Sequence, residues 1–176
     1  YGILSLVIFR VIWGLIGSTH SRFRSFVNLS ELIPHTRRLL KRDQAKIAGH
    51  NPLGALSIIA MLLVLGTQAT TGLFANDDIF LEGPLVHLVD DATSDRLTTV
   101  HHFCAKALYV LIGLHLAAII FHEIYKRERL VLPMISGYKK RLPASVDKPS
   151  FRREYVTASG LLATCAGFVY WLVKYL

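Results

Sequence analysis

The sequence predicts an all-α fold, a transmembrane helical bundle with four spans. Three observations carry this. Apolar residues make up 52% of the 176 positions, with a mean hydropathy of +0.42, and they are blocked into long runs rather than dispersed as in a soluble core. The segments between the runs alternate in charge: basic, acidic, basic. Trp13, Tyr125, Tyr170, Trp171 and Tyr175 fall near the ends of runs, where an interfacial aromatic belt is expected.

The first run, Tyr1 to about Ser18 ("YGILSLVIFRVIWGLIGS"), is slightly short and is interrupted by Arg10. It has no basic leader and does not read as a signal peptide; the expectation is a chain that begins partway along a helix. The second run spans Leu53 to about Phe74, preceded by "GHNP", in which Asn51 and Pro52 suit a cap and first helical turn. The third runs from about Thr98 to about His122 and the fourth from about Tyr155 to Tyr175. Roughly 20 residues at about 1.5 Å each cross a ~30 Å hydrocarbon core, and three of the four runs meet that length easily. There is no internal repeat or low-complexity tract.

The connecting segments set the expected topology. Thr19–Pro52 carries seven Lys/Arg against Glu31 and Asp43, and Glu123–Glu154 carries nine against four acids. Ala75–Arg96 between them has six acids and the single Arg96. Two spans separate the basic segments, so both fall on one side, which the positive-inside rule makes cytoplasmic in a bacterial inner membrane. Tyr1, the acidic segment (periplasmic) and Leu176 then face outward. A net charge of +8 gathered in two such segments fits a lipid bilayer and not nucleic acid as partner. Cys104 and Cys165 lie inside apolar runs without CxxC or CxxCH spacing, which points to small packing residues and away from c-type haem attachment or zinc.

The third run carries four histidines in "HHFCAKALYVLIGLHLAAIIFHEIYK". His101 and His115 are 14 residues apart, so they return to one helix face within about 40° and lie about 21 Å apart along the axis. His122 continues the stripe; His102 points away. Between the two imidazoles the same face carries Cys104, Ala105, Leu108, Leu111 and Ile112, with no charge. Ionisable groups at such depth are costly and usually functional. A proton or metal pathway would call for interleaved acids, and the four runs contain no Asp or Glu. Two neutral imidazoles, one toward each leaflet, suit axial ligation of two haem irons. The bland alternative is that each ring merely hydrogen-bonds a neighbouring backbone. "HEIYK" is not HExxH, so no metalloprotease is implied.

The segment "HHFCAKALYVLIGLHLAAIIFHE" resembles the last core helix of the bacterial cytochrome b561 superfamily, which includes the b-type cytochrome subunits of nickel–iron hydrogenases and formate dehydrogenases. "FRVIWGLIGSTHSRF", "GHNPLGAL" and "TTGLFANDDIFLEGPLVHLVDD" resemble a branch often found with periplasmic c-type cytochromes. The resemblance covers Tyr1 to about Lys140. It implies a haem-binding core over 1–140, followed by a basic linker over 141–154 and a last span over 155–176. It implies two haems b, with His101 and His115 as the ligands of the family's fourth helix. It also implies that the partner ligands, on the family's first helix and about 5 residues before the present start, lie upstream of Tyr1.

Arg10 matches an arginine that the family keeps, and the resemblance favours a haem propionate partner over snorkelling to the interface. His50, His122 and Lys106 are further candidates for cofactor contact. His50 and His122 lie level with the inner haem or a quinone head group, and Lys106 could meet a propionate of the outer haem; ordinary interfacial roles weigh equally. His20, His35 and His87 receive no role. The function expected is electron transfer between a quinone pool and a periplasmic redox partner such as a c-type cytochrome, with quinol/quinone oxidoreductase activity as the enzymatic candidate. Bis-histidine ligation leaves no open iron position, which fits electron transfer better than oxygen chemistry. The rivals are a membrane-anchor subunit of a hydrogenase-type dehydrogenase and, from a different class, a haem-free transporter or assembly anchor. A second copy of the chain is a further candidate partner.

Overall fold

The computed structural model describes residues 1–18, 21–26, 52–77, 81–127, 130–132 and 151–176. Five α-helices occur among them: α1 (Gly2–Ile16), a single turn α2 (Phe23–Phe26), α3 (Pro52–Thr71), α4 (Asp91–Ile124) and α5 (Phe151–Tyr175). A 3-10 turn covers Val86–Leu88. Three helices are long and apolar enough to cross a membrane, over Leu53–Thr71, Asp91–Ile124 and Glu154–Tyr175, while α1 is apolar but shorter, with 15 residues. The all-helical membrane fold expected from the hydropathy is therefore present. His20, His35, His50 and most of the two basic segments lie outside the described residues.

Hydropathy marked the hydrocarbon-spanning parts, and the helices themselves extend further. α4 begins at Asp91 rather than near Thr98 because Asp90 caps it, accepting from the Thr93 N–H at 2.9 Å. The Thr93 hydrogen bonds hold the Asp90 carboxyl below the usual carboxylate range. With 34 residues, α4 is about 51 Å long, well beyond a ~30 Å core.

The helices pack as a row, α4 on α3, α3 on α1, and α1 on α5. Small residues face the contacts, as is usual where helices approach without water to drive them together. Ser5 and Gly14 of α1, Ala55 of α3 and Cys165 of α5 are buried, and a Cβ built on Gly66 of α3 would meet Val7 of α1 at 3.7 Å. Cys104 and Cys165 are both buried free thiols, as expected of packing residues.

A hydrogen-bonded cap closes the acidic end. Ser94 of α4 donates to the Phe74 carbonyl at 2.8 Å, and Thr98 accepts from the Asn76 N–H at 3.0 Å. The Leu85 N–H reaches the Leu73 carbonyl at 2.8 Å, with Leu73 and Leu85 buried beneath. Gly83 crosses directly over Leu73, and a Cβ there would run into the Leu73 carbonyl group. His87 Nε2 lies 2.7 Å from the Leu176 carbonyl oxygen, which ties the cap to the end of α5. Tyr1, the acidic segment and Leu176 thus share one end of the bundle, the relation expected from the charge pattern.

At the opposite end the chain hooks back after α1. Arg22 Nε donates to the Gly17 carbonyl at 2.7 Å, and Ser21 Oγ donates to the Ser18 carbonyl at 2.8 Å. The Phe23 ring folds onto Gly14, whose missing side chain makes the room. At the end of α4, Glu123 accepts from the backbone N–H groups of Leu130 and Val131 at 2.8 and 3.3 Å, after Arg127 has turned the chain at φ 54°.

The Gly83 crossing gives a test of the cap. Gly83→Ala is expected to cost about 1–3 kcal/mol, the usual range for overpacking, read as a lower melting temperature of the detergent-solubilised protein. Gly160→Ala, whose Cβ meets nothing within 4 Å, should be neutral or stabilising.

Candidate functional site

The two histidines of the stripe both meet α3. α3 and α4 run antiparallel, and their register sets His101 beside Gln68 and Thr71 and sets His115 beside Ser57. On α4, His101 lies about 15 Å from the Asp91 end and His115 about 14 Å from the Ile124 end. They therefore sit at similar distances from the two ends of α4.

His101 is held at both ring nitrogens. Nδ1 lies 2.9 Å from the main-chain carbonyl of Gln68 and 3.3 Å from Thr71 Oγ1. A carbonyl can only accept, so Nδ1 carries the ring proton. A neutral imidazole has one such proton, and a charged one would be costly at this depth. Nε2 is therefore the acceptor, and the Gln68 side-chain Nε2, 2.9 Å away, donates to it. That orientation leaves Gln68 Oε1 buried with no partner among the described residues. The ring can approach α3 this closely because position 72 is glycine: a Cβ there would stand 2.9 Å from His101 Cε1.

His101 and Gln68 line a cavity of about 440 Å³ between α1, α3 and α4. Its wall is mostly aliphatic, including Ile3, Leu4, Leu65 and Ala69. Ala105, Leu108 and Ile112 of the predicted stripe lie on it, joined by Tyr109, which the stripe did not include. Cys104 is buried.

His115 has a weaker partner, with Nδ1 3.4 Å from Ser57 Oγ, at the long limit of a hydrogen bond. His102 is exposed and meets His101 only edge to ring, at 6.2 Å between centroids. It stands off the stripe, as expected. His122 is buried and packs edge-on against Phe121. Lys106 is exposed, and it is not among the residues of the His101 cavity. Arg10 donates to the Ser21 carbonyl at 3.2 Å and lies over the Phe23 ring at 4.9 Å, so its guanidinium helps to hold the hook after α1.

The sequence reading missed Ser57, Gln68 and Thr71. A signal existed: Ser57 and Gln68 are 11 residues apart, close to three helical turns, so they share one face of an apolar helix. That face opposes the histidine stripe in an antiparallel pairing. The bland alternative, a histidine satisfied by neighbouring backbone, describes His101 Nδ1 accurately. It is equally the arrangement that fixes a ligating histidine, because an Nδ1–H bonded to a carbonyl presents Nε2 as the ligand atom.

The donor set and its surroundings therefore fit a haem iron at His101. There is one imidazole with its proton on Nδ1, a mostly aliphatic wall and a close backbone approach at Gly72.

Residues 1–137 match the profile of the family described as prokaryotic cytochrome b561. A probable Ni/Fe-hydrogenase B-type cytochrome subunit of Azotobacter vinelandii is 26% identical over 152 residues, covering 74% of this chain and 60% of that protein. A protein of the same description from Rhodobacter capsulatus is 24% identical over 156 residues, covering 78% of this chain and 58% of that protein. The chain thus spans about 60% of the length of these curated relatives. No solved structure matches it significantly.

Gly72→Ala tests the close approach. The methyl should press on the His101 ring and lengthen the Nδ1–H···O=C bond, removing about 0.5–1.5 kcal/mol of hydrogen bonding. Nitrogen NMR of histidine-labelled protein should show His101 Nδ1–H shifting toward a weaker hydrogen bond, with His115 unchanged. An unmoved His101 resonance would mean that the ring does not lie against Gly72.

Proposed function

The chain belongs to the prokaryotic cytochrome b561 family, a family of b-type membrane cytochromes, and on that premise we propose that it carries electrons between a quinone pool and a redox partner at its acidic end. The observation that carries this reading is the state of His101: the proton sits on Nδ1, held by the Gln68 carbonyl, and Nε2 is left as an unprotonated acceptor, bonded by the Gln68 amide beside an aliphatic cavity. Bound haem b would supply a one-electron carrier at this position.

The protein's own residues do the rest. His101 and His115, about 21 Å apart along α4, would each hold a separate haem through one ring nitrogen. The Gln68 carbonyl fixes the orientation and tautomer of the His101 ring beside the mostly aliphatic wall. The stretch between the histidines carries no Asp, Glu or His on that face. His50, His122, Arg10 and Lys106 remain candidates for quinone or propionate contact. By the positive-inside rule the acidic end is periplasmic and the chain resides in the bacterial inner membrane.

Two identities for the partner follow from different observations. The acidic segment suits a basic surface on a soluble c-type cytochrome, where complementary charge chiefly raises the encounter rate. The names of the curated relatives favour a hydrogenase-type dehydrogenase subunit. Co-purification separates them: a metal-containing catalytic subunit retained through detergent extraction selects the second.

His101→Ala in the full-length protein should remove about half of the b-type haem in a pyridine assay, and His115→Ala the other half. His102→Ala should remove none. If either of the first two leaves haem content intact, the ligand assignment is wrong. Orientation is tested by cysteine labelling, for which the two native thiols are buried and silent. An impermeant thiol reagent should label Glu82→Cys in intact cells and should label Arg24→Cys only after lysis; both residues are exposed. The reverse pattern would place His115 nearer the periplasm.

A further inference from the structure

We infer that Gln68 is a positioning residue for His101, a placeholder whose side-chain amide occupies the Nε2 lone pair until iron takes it. The inference rests on the reading of His101 as an axial ligand and adds a residue to it. Three observations meet at this side chain. Its amide nitrogen stands 2.9 Å from His101 Nε2, the atom that must face the iron. Its main-chain carbonyl holds the proton on Nδ1, so the two halves of one residue fix the tautomer from both sides. Its own oxygen is buried without a partner among the described residues, in a residue that lines the cavity.

The arrangement is physically asymmetric. Without the amide, the lone pair would have no donor and the ring would lose the contact that aims it, while the main-chain carbonyl of residue 68 would still hold the proton on Nδ1. With the amide in place, Nε2 stays unprotonated and correctly aimed. The orphaned Oε1 makes that state less stable than a fully paired one, because a buried acceptor without a donor carries a desolvation cost. The amide is therefore held firmly enough to orient the ring and loosely enough to be displaced. For His101 to hold the iron, the N–H···Nε2 hydrogen bond would have to break and free that lone pair, while Nδ1 would keep its own proton.

The test uses the full-length protein, produced under haem limitation, with haem then added. In the haem-free protein, His101 Nε2 should resonate as a hydrogen-bonded pyridine-type nitrogen, with the proton on Nδ1. In Gln68→Leu that resonance should move to the unbonded position. Haem uptake at the His101 site should then quicken about two- to tenfold, the factor equivalent to one net hydrogen bond. Gln68→Glu should do the opposite: a carboxylate draws a proton onto Nε2, and uptake at that site should slow at least tenfold. Uptake at the His115 site, followed in the same samples, should not change.

Equal uptake by wild type, Gln68→Leu and Gln68→Glu would overturn the placeholder role. The ligand reading would survive that result so long as His101→Ala still lost its haem. If His101→Ala keeps both haems, the ligand reading itself falls. Should Gln68→Leu fail to fold, the wild-type haem-free spectrum decides: an unbonded Nε2 overturns the inference.

Discussion

A neutral imidazole inside hydrocarbon brings one donor and one acceptor that water cannot satisfy, and the contact between α3 and α4 is built around that demand. Gln68 answers it at both nitrogens of His101, and Gly72 lets the backbones come close enough for the answer to reach. The same register brings Ser57 to His115. Sliding one helix by a turn would strand both rings at once. Burial of leucines does not fix such a register inside a bilayer, because lipid chains are as apolar as leucine. The polar pairs do.

Much of this was legible in the sequence, for reasons that depend on one helix at a time. Hydropathy found the spans because hydrocarbon thickness dictates run length, and helical periodicity placed His101 and His115 on one face without reference to any neighbour. The helix ends were less legible. Asp91–Leu97 and Phe151–Glu154 are too polar for hydrocarbon but continue their helices into the interface, where a cap such as Asp90 is enough to start a turn. The partners of the histidines were not legible, since they depend on which helix packs against which. A glutamine in an apolar run reads as a mild irregularity until an imidazole is found opposite it.

Arg10 shows the same limit from another side. Alone in an apolar helix, it suggested a carboxylate partner, yet its guanidinium is already engaged by the Ser21 carbonyl and the Phe23 ring. A guanidinium has five N–H donors, so this engagement leaves others for a second acceptor. What the structure adds is that Arg10 has a local task in folding the chain back after α1. Gly14 shares that task by admitting the Phe23 ring.

The two polar ends also decide how deep the histidines lie. α4 is longer than the hydrocarbon is thick, so hydrophobic matching alone would tolerate a range of positions along the membrane normal. At the acidic end, Ser94 and Thr98 bind the chain just after α3, and those bonds fix α4 relative to a helix of membrane length. At the other end, Glu123 binds the returning backbone at Leu130 and Val131. With the acidic end held, His101 and His115 cannot slide along α3 without breaking bonds outside the apolar region. The position of each imidazole is therefore set by its own polar pair on α3 together with the bonds at the acidic end, and a long helix becomes a ruler with two marks on it.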